Sequence, residues 1–173
     1  MIHNERDSRH EHLINVAKQI MTAARTAPKA KGVDIVEIAM VTDDDLLRLS
    51  TRMEELAEEL NKPSFRRDGG NLRQAECLIL IGTRELPMGL NCGHCGSPTC
   101  ANRAEGVPCA FNIMDVGIAI GSACATAADL RIDTRVMYSA GWVAQQMGFL
   151  NGCTAVVGIP LSASSKNPFF DRR

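Results

Sequence analysis

Residues 115–130 read DVGIAIGSACATAADL, and the fold turns on how this stretch is buried. Ile113, Val116, Gly117, Ile120, Cys124 and Ala127 recur at helical spacing, which predicts a helix running to about Leu130. Its remaining face, Ala119, Gly121, Ala123 and Ala125, is small as well. A helix that is apolar or small all round is buried on several sides, and its lack of bulk lets other backbones approach closely. Its cover comes either from the chain's own layers or from a second subunit.

Upstream, the run Cys77–Ile81 (CLILI), closed by Gly82, reads as a central strand. Val33–Val41 is short and rich in β-branched residues and reads as a second, mostly buried strand. Leu13, Val16, Ala17, Ile20, Met21 and Ala24 predict an amphipathic helix over about His10–Arg25, ended by Pro28. Thr42 with Asp43, Asp44 and Asp45 offers an N-cap and an acidic first turn for a helix carrying Leu46, Leu49, Met53, Leu56, Ala57 and Leu60 to about Asn61. Lys62–Leu72, with Pro63, paired glycines and alternating charge, reads as a surface connection. Its Arg66 and Arg67 are solvated charges, with anion binding as the alternative.

Downstream, Arg135–Tyr138 reads as a short strand and Gly141–Gly148 as a short helix. Asn151-Gly152 is a turn, and Cys153–Ile159 is a strand stopped by Pro160. The tail places Phe169 and Phe170 where they dock either on the chain's own core or on a partner subunit. The elements fit one domain over residues 1–173, a small sheet covered by helices, with a cysteine-rich loop at about 88–110 as an excursion from it.

The chain has 173 residues with 19 basic and 20 acidic side chains, so its net charge is -1 and no broad field attracts nucleic acid or acidic lipid. The charged N-terminal stretch does not resemble a signal peptide, and no apolar run reads as long enough to span a membrane, so the expected location is the cytoplasm. Seven cysteines, an odd number, fit a disulfide framework poorly in that compartment. Cys77, Cys124 and Cys153 stand singly in apolar or small-residue runs and read as core. Cys92, Cys95, Cys100 and Cys109 crowd into NCGHCGSPTCANRAEGVPC at the spacing C-x2-C-x4-C-x8-C.

Four thiolates held that close repel one another unless a cation or cluster absorbs their charge. Gly93 and Gly96 let the backbone wrap tightly, and Pro98 and Pro108 stiffen the approach to the third and fourth cysteines. His94 sits between two ligands and reads as a solvent-facing or outer residue. Only the first cysteine pair has the knuckle spacing of a structural zinc site, and C-x2-C followed by irregular spacing favours a [4Fe-4S] cluster, with zinc as the alternative.

The segment CGHCGSPTC, with Cys109 downstream, resembles the iron-sulfur module CGxCGxPxC of the corrinoid iron-sulfur protein and of a subunit of ion-translocating ferredoxin oxidoreductases. That resemblance implies a [4Fe-4S] cluster on the four cysteines. The segments AARTAPKAKGVD, MDVGIAIGSA, RVMYSAGW and GIPLSASSKNPFFDR resemble the bacterial and archaeal family described as containing a ferredoxin domain. The helix ending in AARTAP, the helix DVGIAIGSACATAADL and the late strand VVGIPLS are similar in order and spacing to flavin-dependent nitroreductases. That likeness implies an α+β homodimer with FMN at the subunit interface.

Three functions follow as expectations. The first is an iron-sulfur protein passing single electrons to an unknown redox partner. The second is a flavin reductase fed by the cluster, with Lys29, Lys31, Lys166 and Arg172 as candidates for the flavin phosphate. The third is a zinc-stabilised interaction module. No P-loop, Rossmann glycine fingerprint or Ser-His-Asp pattern points to another chemistry.

Overall fold

In the computed structural model, which describes residues 1–170, a four-stranded antiparallel sheet lies between two layers of helices. The strands are β1 (Val36–Val41), β2 (Cys77–Thr83), β3 (Asp133–Thr134) and β4 (Thr154–Ser162), in the order β1-β2-β4-β3. The helices are α1 (Glu5–Thr26), α2 (Asp43–Glu59), α3 (Pro63–Leu72), α4 (Ala110–Asp129) and α5 (Tyr138–Gln146).

Every residue of β2 is buried because both faces of the sheet are covered. Its side chains alternate between the two layers. Leu78 and Leu80 join Leu49, Met53, Phe65 and Val143 from α2, α3 and α5. Cys77, Ile79 and Ile81 join Leu13, Ile20, Val116 and Ala123 from α1 and α4. The α5–β4 contact is so close that a Cβ on Gly141 would lie 2.1 Å from the Val156 carbonyl oxygen.

Several expectations need correction. The first helix begins at Glu5 rather than near His10, because the Asn4 side chain accepts the Arg6 amide at 3.1 Å and caps it. Lys62–Leu72 is largely the helix α3 and no mere surface connection. Pro63 sits in its first turn, where a missing N–H costs nothing, and Phe65, Asp68, Gly69 and Leu72 bury one face at helical spacing. Gly69 is needed there, since a Cβ would meet the Ser50 carbonyl at 3.0 Å.

Pro160 does not stop the last strand, which runs on to Ser162. Gly158 exchanges both backbone hydrogen bonds with Met137, so by alternation the Pro160 nitrogen faces that same side. It falls in the gap between the Met137 bridge and the short β3, where no ladder donor is required. Residues 135–138 are not a strand: β3 is shorter and earlier, and α5 already starts at Tyr138.

By length and composition alone α4 is also apolar enough to cross a membrane, contrary to the expectation. Here it packs on α1 and β2, with Val116, Ala119, Ala123 and Ala127 buried. Phe169 docks on the chain's own core, its carbonyl accepting from Arg135 at 2.9 Å, while Phe170 stays exposed over the Arg135 guanidinium.

Candidate metal centre

The chain leaves the sheet at Thr83, runs through residues 84–91, carries the cysteine loop, and returns as α4. Cys109 is the N-cap of α4, so the fourth thiol stands where a long helix directs its positive end. The loop turns on residues held at positive φ: Asn91, Gly93 and Gly96 near the first cysteine pair and Gly106 before the last cysteine. The Gly96 amide closes a turn on the Gly93 carbonyl at 2.9 Å.

Cys100 is fixed by a reciprocal pair of bonds. Its amide donates to Asn91 Oδ1 at 2.8 Å, and the Asn91 amide donates to Cys100 Sγ at 3.4 Å. Arg103, between the third and fourth cysteines, donates from Nη1 to the Val107 carbonyl and pairs with Glu85, tying the loop to the segment that enters it. Cys92 is exposed, Cys95 and Cys100 are half-buried, and Cys109 is buried. His94 is exposed and tilts against Phe111, with ring centroids 6.0 Å apart.

Among the described residues no three His, Cys, Asp or Glu side chains converge as a metal site. The donor set still fits a thiophilic group: four cysteines in one surface loop, with backbone amide already donated to one sulfur. Two buried donors at this end of the molecule, Arg103 Nε and Asn112 Nδ2, have no hydrogen-bond partner among the described residues. Sulfur is an acceptor that such donors suit.

The three lone cysteines lie apart from this chemistry. Burial pushes the Cys77 thiol up to about 12, with the Glu76 charge adding to the effect. Burial likewise raises Cys124 and Cys153.

The candidate flavin-phosphate residues are scattered. Lys29 Nζ donates to the carbonyls of Ala24, Arg25 and Ala27 at 3.0, 2.7 and 2.6 Å, which closes the C-terminal end of α1. Burial holds its ammonium below the ordinary value. Lys31 Nζ reaches the Met88 carbonyl at 3.2 Å, Lys166 lies in the C-terminal tail, and Arg172 lies outside the described residues. Arg66 pairs with Glu58 and Arg67 with Asp68, so the anion alternative for these two gains nothing.

Three residues at the base of the loop were not singled out in the sequence. Asp115 is buried and accepts the Ala30 amide with both oxygens, at 3.0 and 3.2 Å. Asn112 is buried and accepts the Leu86 amide at 3.1 Å. With Arg103 they hold the two connecting segments on either side of the α4 N-terminus. The signal for the first two was a pair of polar residues in the apolar N-terminal half of the helix.

A family signature described as "uncharacterized protein containing a ferredoxin domain" matches residues 105–172. An Archaeoglobus fulgidus protein, described only as uncharacterized, is 39% identical over 99% of this chain and 98% of its own length. Among solved structures, a nitroreductase with bound FMN from Desulfitobacterium hafniense matches with TM-score 0.60 at 15% identity, over 88% of this chain and 78% of the other. The NADPH:FMN oxidoreductase of Vibrio harveyi, complexed with NAD+, matches with TM-score 0.57 at 14% identity, over 92% of this chain and 63% of the other. At these identities the structural matches establish the nitroreductase-like α+β fold.

Proposed function

This chain belongs to the family described as containing a ferredoxin domain, and from that premise we propose that it is an iron-sulfur redox protein. Cys92, Cys95, Cys100 and Cys109 are the ligands of one [4Fe-4S] cluster. The observation that carries this reading is the loop itself: four thiols on tight glycine turns, closed by a cysteine at the N-cap of α4. When bound there, the cluster supplies one-electron transfer.

The chain's own residues do the rest. Asn91 orients Cys100 through its side chain and donates its amide to that sulfur. Cys109, as the N-cap of α4, is anchored at the start of a long helix. Exposed Cys92 keeps one side of the loop open to solvent, where a partner protein can exchange electrons. The nitroreductase-like fold supports a redox role, but a flavin would need phosphate partners other than Lys29, whose three ammonium protons already go to backbone carbonyls.

The same reading includes a twofold homodimer through α4. Ile113, Met114, Gly117, Ile118, Gly121 and Ala125 form an exposed, uncharged stripe on the helix face away from the core. A second copy of that stripe is its self-complementary cover.

Anaerobic purification followed by iron, sulfide, zinc and flavin assays tests the function. The expected result is a brown protein with about four irons and four sulfides per chain. Stoichiometric zinc without iron would overturn the cluster and favour the zinc-stabilised module instead.

A further inference from the structure

Two buried donors near the cysteine loop have no visible purpose in the protein interior. Asn112 is fully buried, and its amide oxygen is used by the Leu86 N–H, but Nδ2 has no partner among the described residues. Arg103 is nearly buried, its side chain 15% exposed; Nη1 serves Glu85 and Val107, while Nε has no partner. A buried donor left unsatisfied keeps the full cost of leaving water, and an apolar side chain of similar shape avoids that cost.

Their positions single out the same neighbourhood. Asn112 lies in the first turn of α4, and its backbone amide donates to the Cys109 carbonyl at 3.0 Å. Arg103 follows the short 3-10 turn Cys100–Asn102, and its guanidinium reaches forward to Val107, two residues before Cys109. Their bonded ends meet adjacent residues, Arg103 the Glu85 carboxylate and Asn112 the Leu86 amide. Both orphan atoms are donors, and each belongs to a residue three positions after a ligand cysteine in the chain. The acceptor chemistry that matches is an anionic sulfur.

We propose that Asn112 Nδ2 and Arg103 Nε are hydrogen-bond donors to the sulfurs of the group held by the four cysteines, and that they set its reduction potential as positioning residues rather than ligands. This rests on the iron-sulfur reading above. Donors to cluster sulfur stabilise the extra negative charge of the reduced state and raise the potential. Removing either should lower it while leaving the iron in place.

The test is an EPR-monitored redox titration of the full chain prepared anaerobically, with iron and sulfide measured on the same samples. The variants are Asn112→Leu, the milder Asn112→Ser, and Arg103→Lys, which keeps the positive charge but removes the Nε donor. Ser139→Ala, which breaks a buried hydrogen bond to Asp68 on the opposite side of the sheet, is the control. We expect Asn112→Leu and Arg103→Lys each to retain their iron and to shift the redox equilibrium at least tenfold toward the oxidised form, which is 59 mV for a one-electron couple. Ser139→Ala should leave the potential unchanged.

Unchanged potentials in Asn112→Ser and Arg103→Lys with full iron would overturn the inference and leave the cluster reading intact. That result would make the two donors partners of ordered water. A parent chain that takes up no iron and sulfide would overturn both.

Discussion

Gly141→Ala adds a methyl group at the tightest point between α5 and the sheet. Its carbon would sit 2.1 Å from the Val156 carbonyl oxygen and 2.4 Å from both the Val156 carbonyl carbon and Val157 Cα, where ordinary contact begins near 3.4 Å. All three obstacles are backbone of β4, so no side chain can rotate away. The helix must retreat by about 1 Å, and a gap of that size forfeits a quarter to a half of the dispersion attraction across it. Ala140, Val143 and Ala144, all fully buried, lose most. Overpacking with this retreat costs about 4 kcal/mol, at or above the usual range, and the better helix propensity of Ala returns about 1. The expected net loss is therefore about 3 kcal/mol. Gly70→Ala, in α3 with nothing within 4 Å of the new carbon, makes the same chemical change in open space and should gain about 1 kcal/mol. Urea unfolding followed by far-UV circular dichroism and Trp142 fluorescence compares the two with the parent. A Gly141→Ala variant within about 1 kcal/mol of the parent would refute the close α5–β4 approach.

Three further outcomes are expected. Serine at Cys92, Cys95, Cys100 or Cys109 should lower bound iron by more than half, while Ala at Cys124 or Cys153 should leave iron unchanged and cost about 1 kcal/mol of packing; elemental analysis decides between them. Because the Cys77 thiol is raised from 9.0 to about 12 in the folded chain, the folded state holds its proton more tightly, so its contribution is intact below pH 9 and is lost as the pH climbs toward 12. The total is about 4 kcal/mol, and Cys77→Val should remove that part of the alkaline slope in urea midpoints measured from pH 8 to 11. Gly117→Arg, which places a charge in the exposed stripe of α4, should convert a sedimenting dimer to a species near the 18.8 kDa chain mass; a parent already at that mass sinks the dimer.

The central strand, the small-residue helix and the four-cysteine loop were legible because each is contiguous and chemically uniform. The helix α3 was not, because its buried face is Phe65, Asp68, Gly69 and Leu72, and half of that set looks like turn residues until Ser50 and Ser139 supply their partners. Pro160 misled for a related reason: a proline interrupts a strand only if its missing donor faces a partner strand, and β3 is too short to reach it. At the base of the cysteine loop the partners of Asn112 and Asp115 are backbone amides 26 and 85 residues away, a separation no local pattern encodes. The flavin candidates rest on charge alone, and Lys29 is spent on a helix end two to five residues back.

The pairing of β2 with β4 sets an order of assembly. Thr154 meets Thr83 across 71 residues, and the cysteine loop lies inside that gap. Closing so long a gap is the slow, entropically costly step in bringing the two inner strands together. A metal group that cinched the four cysteines would shorten the gap by roughly a quarter, and because closure entropy grows only with the logarithm of length, that is worth about 0.2 kcal/mol. Burial of Leu78, Ile79, Leu80, Ile81 and Ile159 outweighs it many times over. The closed sheet therefore rests on these buried side chains, and tightening the cysteine loop would add little to it.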